Sequence, residues 1–395
     1  GIPVRSELIL AAGEIRTPIL AITGTNGKST TTAWTAHLLR RAGVGAVAAG
    51  NIGRPLSGAI LEEPAETIFV VEVSSFQLED SPEFHPRAAA ILNITPDHLD
   101  RHGSFAAYTA AKWAIASHQE PGDILVLGPG LQVPPDARIR SRIVRCDPDM
   151  FDRQDRKAEV QRTDSRGRET GDGGPCHGAL PGGDALYLRK GIIVRRSGKS
   201  EYGLLPATGL SLPGPHNLIN AMTAVALASA LVTETERLVR GLRDFPGLPH
   251  RLEEVGRIGQ VRMINDSKST NVDSLRVALS SFTEPVVLLA GGRDKEGPFE
   301  DLADLAARSV RHLVAIGETA EKIRRSWPHV SSETATDLNE AISLALAASP
   351  TRGVVLLSPG CASFDMFRDY EERGDVFRAL VAERSGNASR SVQGR

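Results

Sequence analysis

Short apolar runs punctuate the first half of the chain at residues 18–23, 44–49, 67–73, 88–94 and 123–127. They carry little polar alternation, the pattern of strands buried on both faces. Residues 28–42 read as a helix stopped by Gly43, and residues 104–118 as another. The stretch 151–175 is crowded with Asp, Arg, Glu and Gly and has no apolar period. It reads as part of an exposed polar insertion, about 150–182, rather than a boundary. Apolar character returns at 185–194, as expected of a hairpin. Pro246-Gly247-Leu248-Pro249 is the next strong punctuation. Beyond it the pattern predicts strands at 261–265, 285–290, 312–316 and 353–358, with helices at 272–281, 299–307 and 338–348. The expectation is an α/β protein with mostly parallel sheets in two domains, 1–246 and 247–395.

Composition narrows the classes. Lys+Arg is 46 and Asp+Glu is 48, a net charge of -2 over 395 residues. That balance argues against a nucleic-acid binder built on a basic footprint. The three cysteines, Cys146, Cys176 and Cys361, lie far apart and form no C-x-x-C pair. A disulfide framework and a thiolate zinc site are disfavoured, and a reducing compartment fits. No apolar run approaches the roughly 18 residues that span a bilayer. A cytoplasmic protein without membrane insertion is expected.

The sharpest local signal is Thr23-Gly24-Thr25-Asn26-Gly27-Lys28-Ser29-Thr30, between a strand and a helix. Gly24 and Gly27 let the backbone turn tightly and bring N–H groups toward an anion. The helix start adds unpaired donors and the positive end of its dipole. Lys28 supplies a point charge for β/γ-phosphates and Ser29 a hydroxyl for Mg²⁺. Ile22 stands where the general G-x-x-x-x-G-K-[ST] loop has its first Gly. An ordinary strand-to-helix turn is the alternative.

This loop resembles the ATP loop of the Mur ligases, the amide-forming enzymes of peptidoglycan synthesis. Further segments resemble the family in the same order. They are Gly50-Asn51-Ile52-Gly53, Glu72-Val73-Ser74-Ser75-Phe76-Gln77-Leu78-Glu79 and the run from Asn93 to His102. Tyr108-Thr109-Ala110-Ala111-Lys112, Gly214-Pro215-His216-Asn217 with Asn220, and Leu248-Pro249-His250-Arg251 follow. Last come Asn265-Asp266-Ser267-Lys268-Ser269-Thr270-Asn271 and the run from Leu357 to Asp365. The resemblance implies a central P-loop ATPase-type domain and a C-terminal Rossmann-like domain. Its motifs look most like the D-glutamate-adding branch. Family members also carry an N-terminal uridine-nucleotide domain, and here the loop begins about two dozen residues in. That domain is expected to be missing from this chain.

By resemblance, ATP would phosphorylate the carboxylate of UDP-N-acetylmuramoyl-L-alanine, and D-glutamate would attack the acyl phosphate. Gly24, Thr25, Asn26, Gly27, Lys28, Ser29 and Thr30 would hold the phosphates. Ser29 and Glu72 would bind one Mg²⁺, and His98 with a carbamylated Lys112 a second. Asn217, Asn220, His250, Arg251 and Asp266 would face the rest of the nucleotide, with its base between the domains. Asn51, Ser74 and Ser75 would touch the acceptor. Lys268, Thr270, Lys295, Ser363, Phe364 and Tyr370 would form the D-glutamate pocket. Local chemistry leaves alternatives open: a solvated carboxylate at Glu72, a solvated helix lysine at Lys112, a capping loop residue at His98, a helix cap near Asn217, and core packing at Tyr370. A monomer is expected. The competing functions are a folylpolyglutamate-synthase-like ligase and an ATP-binding relative that ligates nothing.

Overall fold

A computed structural model of the chain describes residues 5–150, 183–212, 214–294 and 297–393. Most of the polar insertion, Cys176 and Lys295 lie outside the described residues. The chain divides into two compact units, Gly1–Gly247 and Leu248–Arg395.

Among the described residues the first unit carries nine strands: β1 (Ile19–Thr23), β2 (Ala46–Gly50), β3 (Ile68–Glu72), β4 (Ala88–Ile91), β5 (Ile124–Leu127), β6 (Arg142–Cys146), β7 (Asp184–Arg189), β8 (Ile192–Ser197) and β9 (Ser200–Pro206). They form one sheet in the order β2-β3-β1-β4-β5-β6-β7-β8-β9. Every pairing from β2 through β7 is parallel, and β8 and β9 add antiparallel. The expected hairpin is therefore β7–β8, extended by a third strand.

Strand β1 is buried along its whole length because helices cover both faces. Side chains alternate across a strand, so Leu20 and Ile22 pack with Trp34, Leu38 and Met222. Ile19 and Ala21 point the other way, toward Leu8, Leu56 and Ile115. The Lys28–Arg41 helix supplies Trp34 and Leu38, and the Pro215–Ala228 helix supplies Met222. Burying each large apolar side chain contributes about 1.5–3 kcal/mol. Arg40 and Arg41 complement the dipole in the last turn of the first helix, and Gly43 follows in the left-handed region at φ 87°.

The second unit holds β10 (Glu253–Ile258), β11 (Val261–Asn265), β12 (Val286–Gly291), β13 (Val310–Ile316), β14 (Ser332–Ala335) and β15 (Val354–Leu357). Their order is β10-β11-β15-β12-β13-β14, with β10 antiparallel and the rest parallel. Leu288 and Ala290 face one apolar cluster and Val287 and Leu289 the other. The Tyr370–Gln393 helix closes the unit.

Candidate active site

In the first unit the candidate residues gather at the C-terminal ends of β1, β3 and β4, where open α/β sheets place ligands. Residues 24–27 leave β1 and deliver Lys28 as the first residue of the helix. Gly27 sits at φ 87°, and a Cβ there would fall 2.5 Å from Asn220 Oδ1. Only glycine fits both the conformation and the space. No side chain caps the helix start at Gly27. A helix start of this kind is where anions bind.

The loop is clamped to the end of β4. Thr25 N donates to Asn93 O at 2.9 Å, and Asn26 N to Asn93 Oδ1 at 2.8 Å. Asn93 Nδ2 returns a bond to Asn26 O at 3.0 Å. Thr25 Oγ1 lies 3.0 Å from the Tyr108 hydroxyl and accepts from Thr95 N at 3.0 Å. Behind the loop, Thr31 Oγ1 donates to Asn220 Oδ1 at 3.2 Å, and Asn220 Nδ2 donates to Asn217 Oδ1 at 3.3 Å. Asn220, expected at the nucleotide base, therefore supports the loop. The helix that carries both Asn residues begins with Gly214 as its cap and Pro215 at the first position, so Asn217 is not the cap.

Two ammonium groups share one carbonyl oxygen. Gly24 O accepts from Lys28 Nζ at 3.0 Å and from Lys112 Nζ at 2.8 Å. Lys28 also donates to Thr25 O at 2.9 Å. Lys112 is only 2% exposed, and its ammonium lies 4.6 Å from the centre of the Tyr108 ring. Burial, then repulsion from Lys28, lowers its pKa to about 7. Lys112 is thus a buried helix residue rather than a solvated one.

Glu72 ends β3 and is 3% exposed. Asn51 Nδ2 donates to its Oε1 at 3.3 Å, while Oε2 is buried with no hydrogen-bond partner among the described residues. A buried carboxylate oxygen with no hydrogen-bond partner suits a hard cation. Ser29, 2% exposed in the first helical turn, offers a hydroxyl of the matching type. His98 adopts the left-handed region at φ 51° and its side chain is half exposed. Its ring lies 5.0 Å from Phe76 and 6.5 Å from Tyr108.

Ser74 and Ser75 both have partners within the protein. Ser74 caps the Ser75–Glu79 helix in a reciprocal box with Gln77. Ser75 Oγ lies 2.9 Å from His102 Nε2.

The second unit brings together a second set. His250, at φ 61°, is buried, with Nδ1 3.0 Å from Asn265 Nδ2 and its ring edge toward Tyr370. Burial lowers its pKa, with a smaller contribution from Arg378. Asp266, expected at the ribose, accepts from Ser358 Oγ at 2.8 Å and Leu252 N at 3.2 Å. Burial raises its pKa to about 7. Lys268 Nζ lies 5.2 Å from the centre of the Tyr370 ring. Arg373, 1% exposed, binds Ser267 Oγ at 2.9 Å, Ser267 O at 2.8 Å and Cys361 O at 3.2 Å. It thereby joins the segment bearing Lys268 and Thr270 to the one bearing Ser363 and Phe364. Ser363 is buried and Phe364 is 61% exposed.

Sequence reasoning assigned no role to Asn93, Tyr108, Asn265 or Arg373. The first three lie inside the quoted motifs, two amides and a phenol that a search there for hydrogen-bonding side chains would have found. Arg373, in Glu371-Glu372-Arg373, reads as a surface helix residue.

Two family descriptions match the chain: the Mur ligase middle domain over residues 22–132 and the Mur ligase glutamate ligase domain over residues 250–361. The fold and the phosphate loop are thus those of a Mur ligase. The UDP-N-acetylmuramoylalanine--D-glutamate ligase of Salinibacter ruber is 41% identical, covering 96% of this chain and 79% of the relative. That of Pelotomaculum thermopropionicum is 39% identical over 96% and 78%. The chain belongs to the family of these D-glutamate ligases. Among solved structures, FolC of E. coli superposes with TM-score 0.66 at 16% identity, covering 96% of this chain and 94% of that one. MurF of Acinetobacter baumannii gives 0.63 at 20%, covering 94% and 78%. At such identities the likeness is one of fold. No helix among the described residues is long and apolar enough to cross a membrane.

Proposed function

We infer that the chain is an ATP-dependent ligase joining D-glutamate to UDP-N-acetylmuramoyl-L-alanine in peptidoglycan synthesis. The observation that carries this is 41% identity to a ligase of that name across 96% of the chain. The gathering of Lys28, Lys112 and Glu72 at one end of the sheet supports it.

Amide formation from a free carboxylate is uphill in water, so the acid must first be activated. The γ-phosphoryl group of ATP passes to the L-alanyl carboxylate, giving an acyl phosphate and ADP. The D-glutamate amine then attacks the acyl carbon and loses a proton. The C–O bond to phosphate breaks and inorganic phosphate leaves. Negative charge on phosphoryl oxygens dominates both steps, so catalysis is positioning plus cations. Lys28 leaves the Gly24 and Thr25 carbonyls for the β/γ-phosphates, and the uncapped helix start faces the same anion. Ser29 and Glu72 would hold one Mg²⁺, and His98 with Lys112 a second. Bound magnesium neutralises phosphoryl oxygens. An amine titrating near 7 is partly neutral at physiological pH, so Lys112 can add CO₂ and release a proton. The resulting carbamate gives it the oxygen donors an ammonium lacks.

Lys268, Thr270, Lys295, Ser363, Phe364 and Tyr370 are assigned to D-glutamate. His250 and Arg251 are assigned to the nucleotide. Asn51 is assigned to the acceptor.

The test is phosphate release with ATP, Mg²⁺, D-glutamate and UDP-N-acetylmuramoyl-L-alanine. Release that needs both substrates is expected, and Lys28→Ala should lower it by at least about 100-fold. Nucleotide binding without turnover would sink the ligase reading.

A further inference from the structure

His102 ends the short Leu99–His102 helix, and its ring is shut off from solvent. Its Nδ1 lies 2.9 Å from Glu79 Oε1 and its Nε2 2.9 Å from Ser75 Oγ. A carboxylate only accepts, so in the neutral ring Nδ1 carries the hydrogen and Nε2 accepts the Ser75 hydroxyl. The ring also stacks on Phe76 at 5.1 Å and meets Tyr108 edge-on at 5.2 Å. Ser75, Phe76 and Glu79 all belong to the helix that begins just after Glu72. His102 therefore ties the turn at residues 98–102 to the element that follows the β3 carboxylate.

The other end of that turn is His98. Its left-handed backbone is one that a side-chain-bearing residue adopts only when its surroundings enforce it. Its carbonyl accepts from Arg101 N at 3.1 Å and His102 N at 3.0 Å. Fixing His102 therefore fixes the His98 backbone. The His98 side chain, by contrast, is half exposed and rests on Phe76 and Tyr108. Tyr108 in turn carries the Lys112 ammonium over its ring.

We propose that His102, clamped between Ser75 and Glu79, is the positioning residue that holds His98 against Phe76 and Tyr108 and so sets the affinity for a second divalent cation. The proposal rests on the functional reading above in taking His98 and Lys112 as that cation's ligands. It moves Ser75 from contact with the acceptor to support of the metal side. Groups that orient ligands in this way typically change metal affinity by about 10–100-fold.

The experiment titrates Mn²⁺ by electron paramagnetic resonance into the full chain with a non-hydrolysable ATP analogue and bicarbonate. It compares the unsubstituted protein with His102→Phe, Ser75→Ala and the double variant. Phenylalanine keeps a flat ring against Phe76 and removes both hydrogen bonds. Two bound ions are expected in the unsubstituted protein. Each variant should weaken one of them by about tenfold and leave the other unchanged. The double variant should be no worse than His102→Phe, because both remove one network. In turnover the half-saturating Mg²⁺ should rise in parallel while the KM for D-glutamate holds. A single Mn²⁺ site, unchanged affinities, or a Ser75→Ala effect confined to the acceptor KM overturns the proposal. If His102→Phe fails to fold, Ser75→Ala decides alone. An unsubstituted protein that binds two Mn²⁺ ions sensitive to these substitutions but forms no product ends the ligase reading and leaves this one standing.

Discussion

The Gly24 carbonyl takes two ammonium groups, and the buried one bears the cost. Lys112 titrates near 7 in the fold against 10.5 in an open chain. Between those values the unfolded chain holds the proton and the folded chain does not, so stability rises with pH across that window. Below it both states are charged, and the folded one carries the full desolvation cost. Lys112→Met removes the dependence. The stability of the unsubstituted protein relative to this variant should grow by roughly a few kcal/mol from pH 7 to 10, read from urea melts. A flat difference would mean the amine is solvated. Sequence alone made Lys112 half legible. Its neighbours Ala110, Ala111, Trp113 and Ala114 hinted at burial, while only the family pattern pointed to a ligand. Ser74 and Asp266 were less legible. Serine and aspartate serve caps and turns as readily as substrates, and the partners that decide between these lie at other positions in the chain.

At the level of elements, the strands were legible where both faces are buried, because such runs need no alternation to stand out. β6 was not, since Arg142 and Arg145 break its apolar run. The Pro215–Ala228 helix was hidden for the opposite reason. It is buried nearly all round and has no polar face to give a 3.6-residue period. The Tyr370–Gln393 helix contains Gly374, where alanine would ordinarily gain about 1 kcal/mol. Here a Cβ would run into the His250 ring. Gly374→Ala should therefore cost about 1–3 kcal/mol instead, through overpacking against His250 and its bond to Asn265. Thermal melting measures it, and a stabilised variant would show that His250 has room to move.

At the scale of the molecule, each unit has its own sheet and its own apolar clusters. The second is built on two, one on each face. Residues 248–395 expressed alone should therefore melt cooperatively in circular dichroism. A gradual, featureless transition would mean that the fragment is no independent unit. The first unit has a different consequence. Its sheet grows outward from β1 in both directions, and the Lys28–Arg41 helix covers Leu20 and Ile22 first, while Met222 joins them only from the Pro215–Ala228 helix. Thr31 and its brace Asn220 are separated by 189 positions. On a ribosome adding about 5–20 residues each second, Thr31 waits roughly ten seconds or more for Asn220. The phosphate loop is made long before the side chain that braces it from behind.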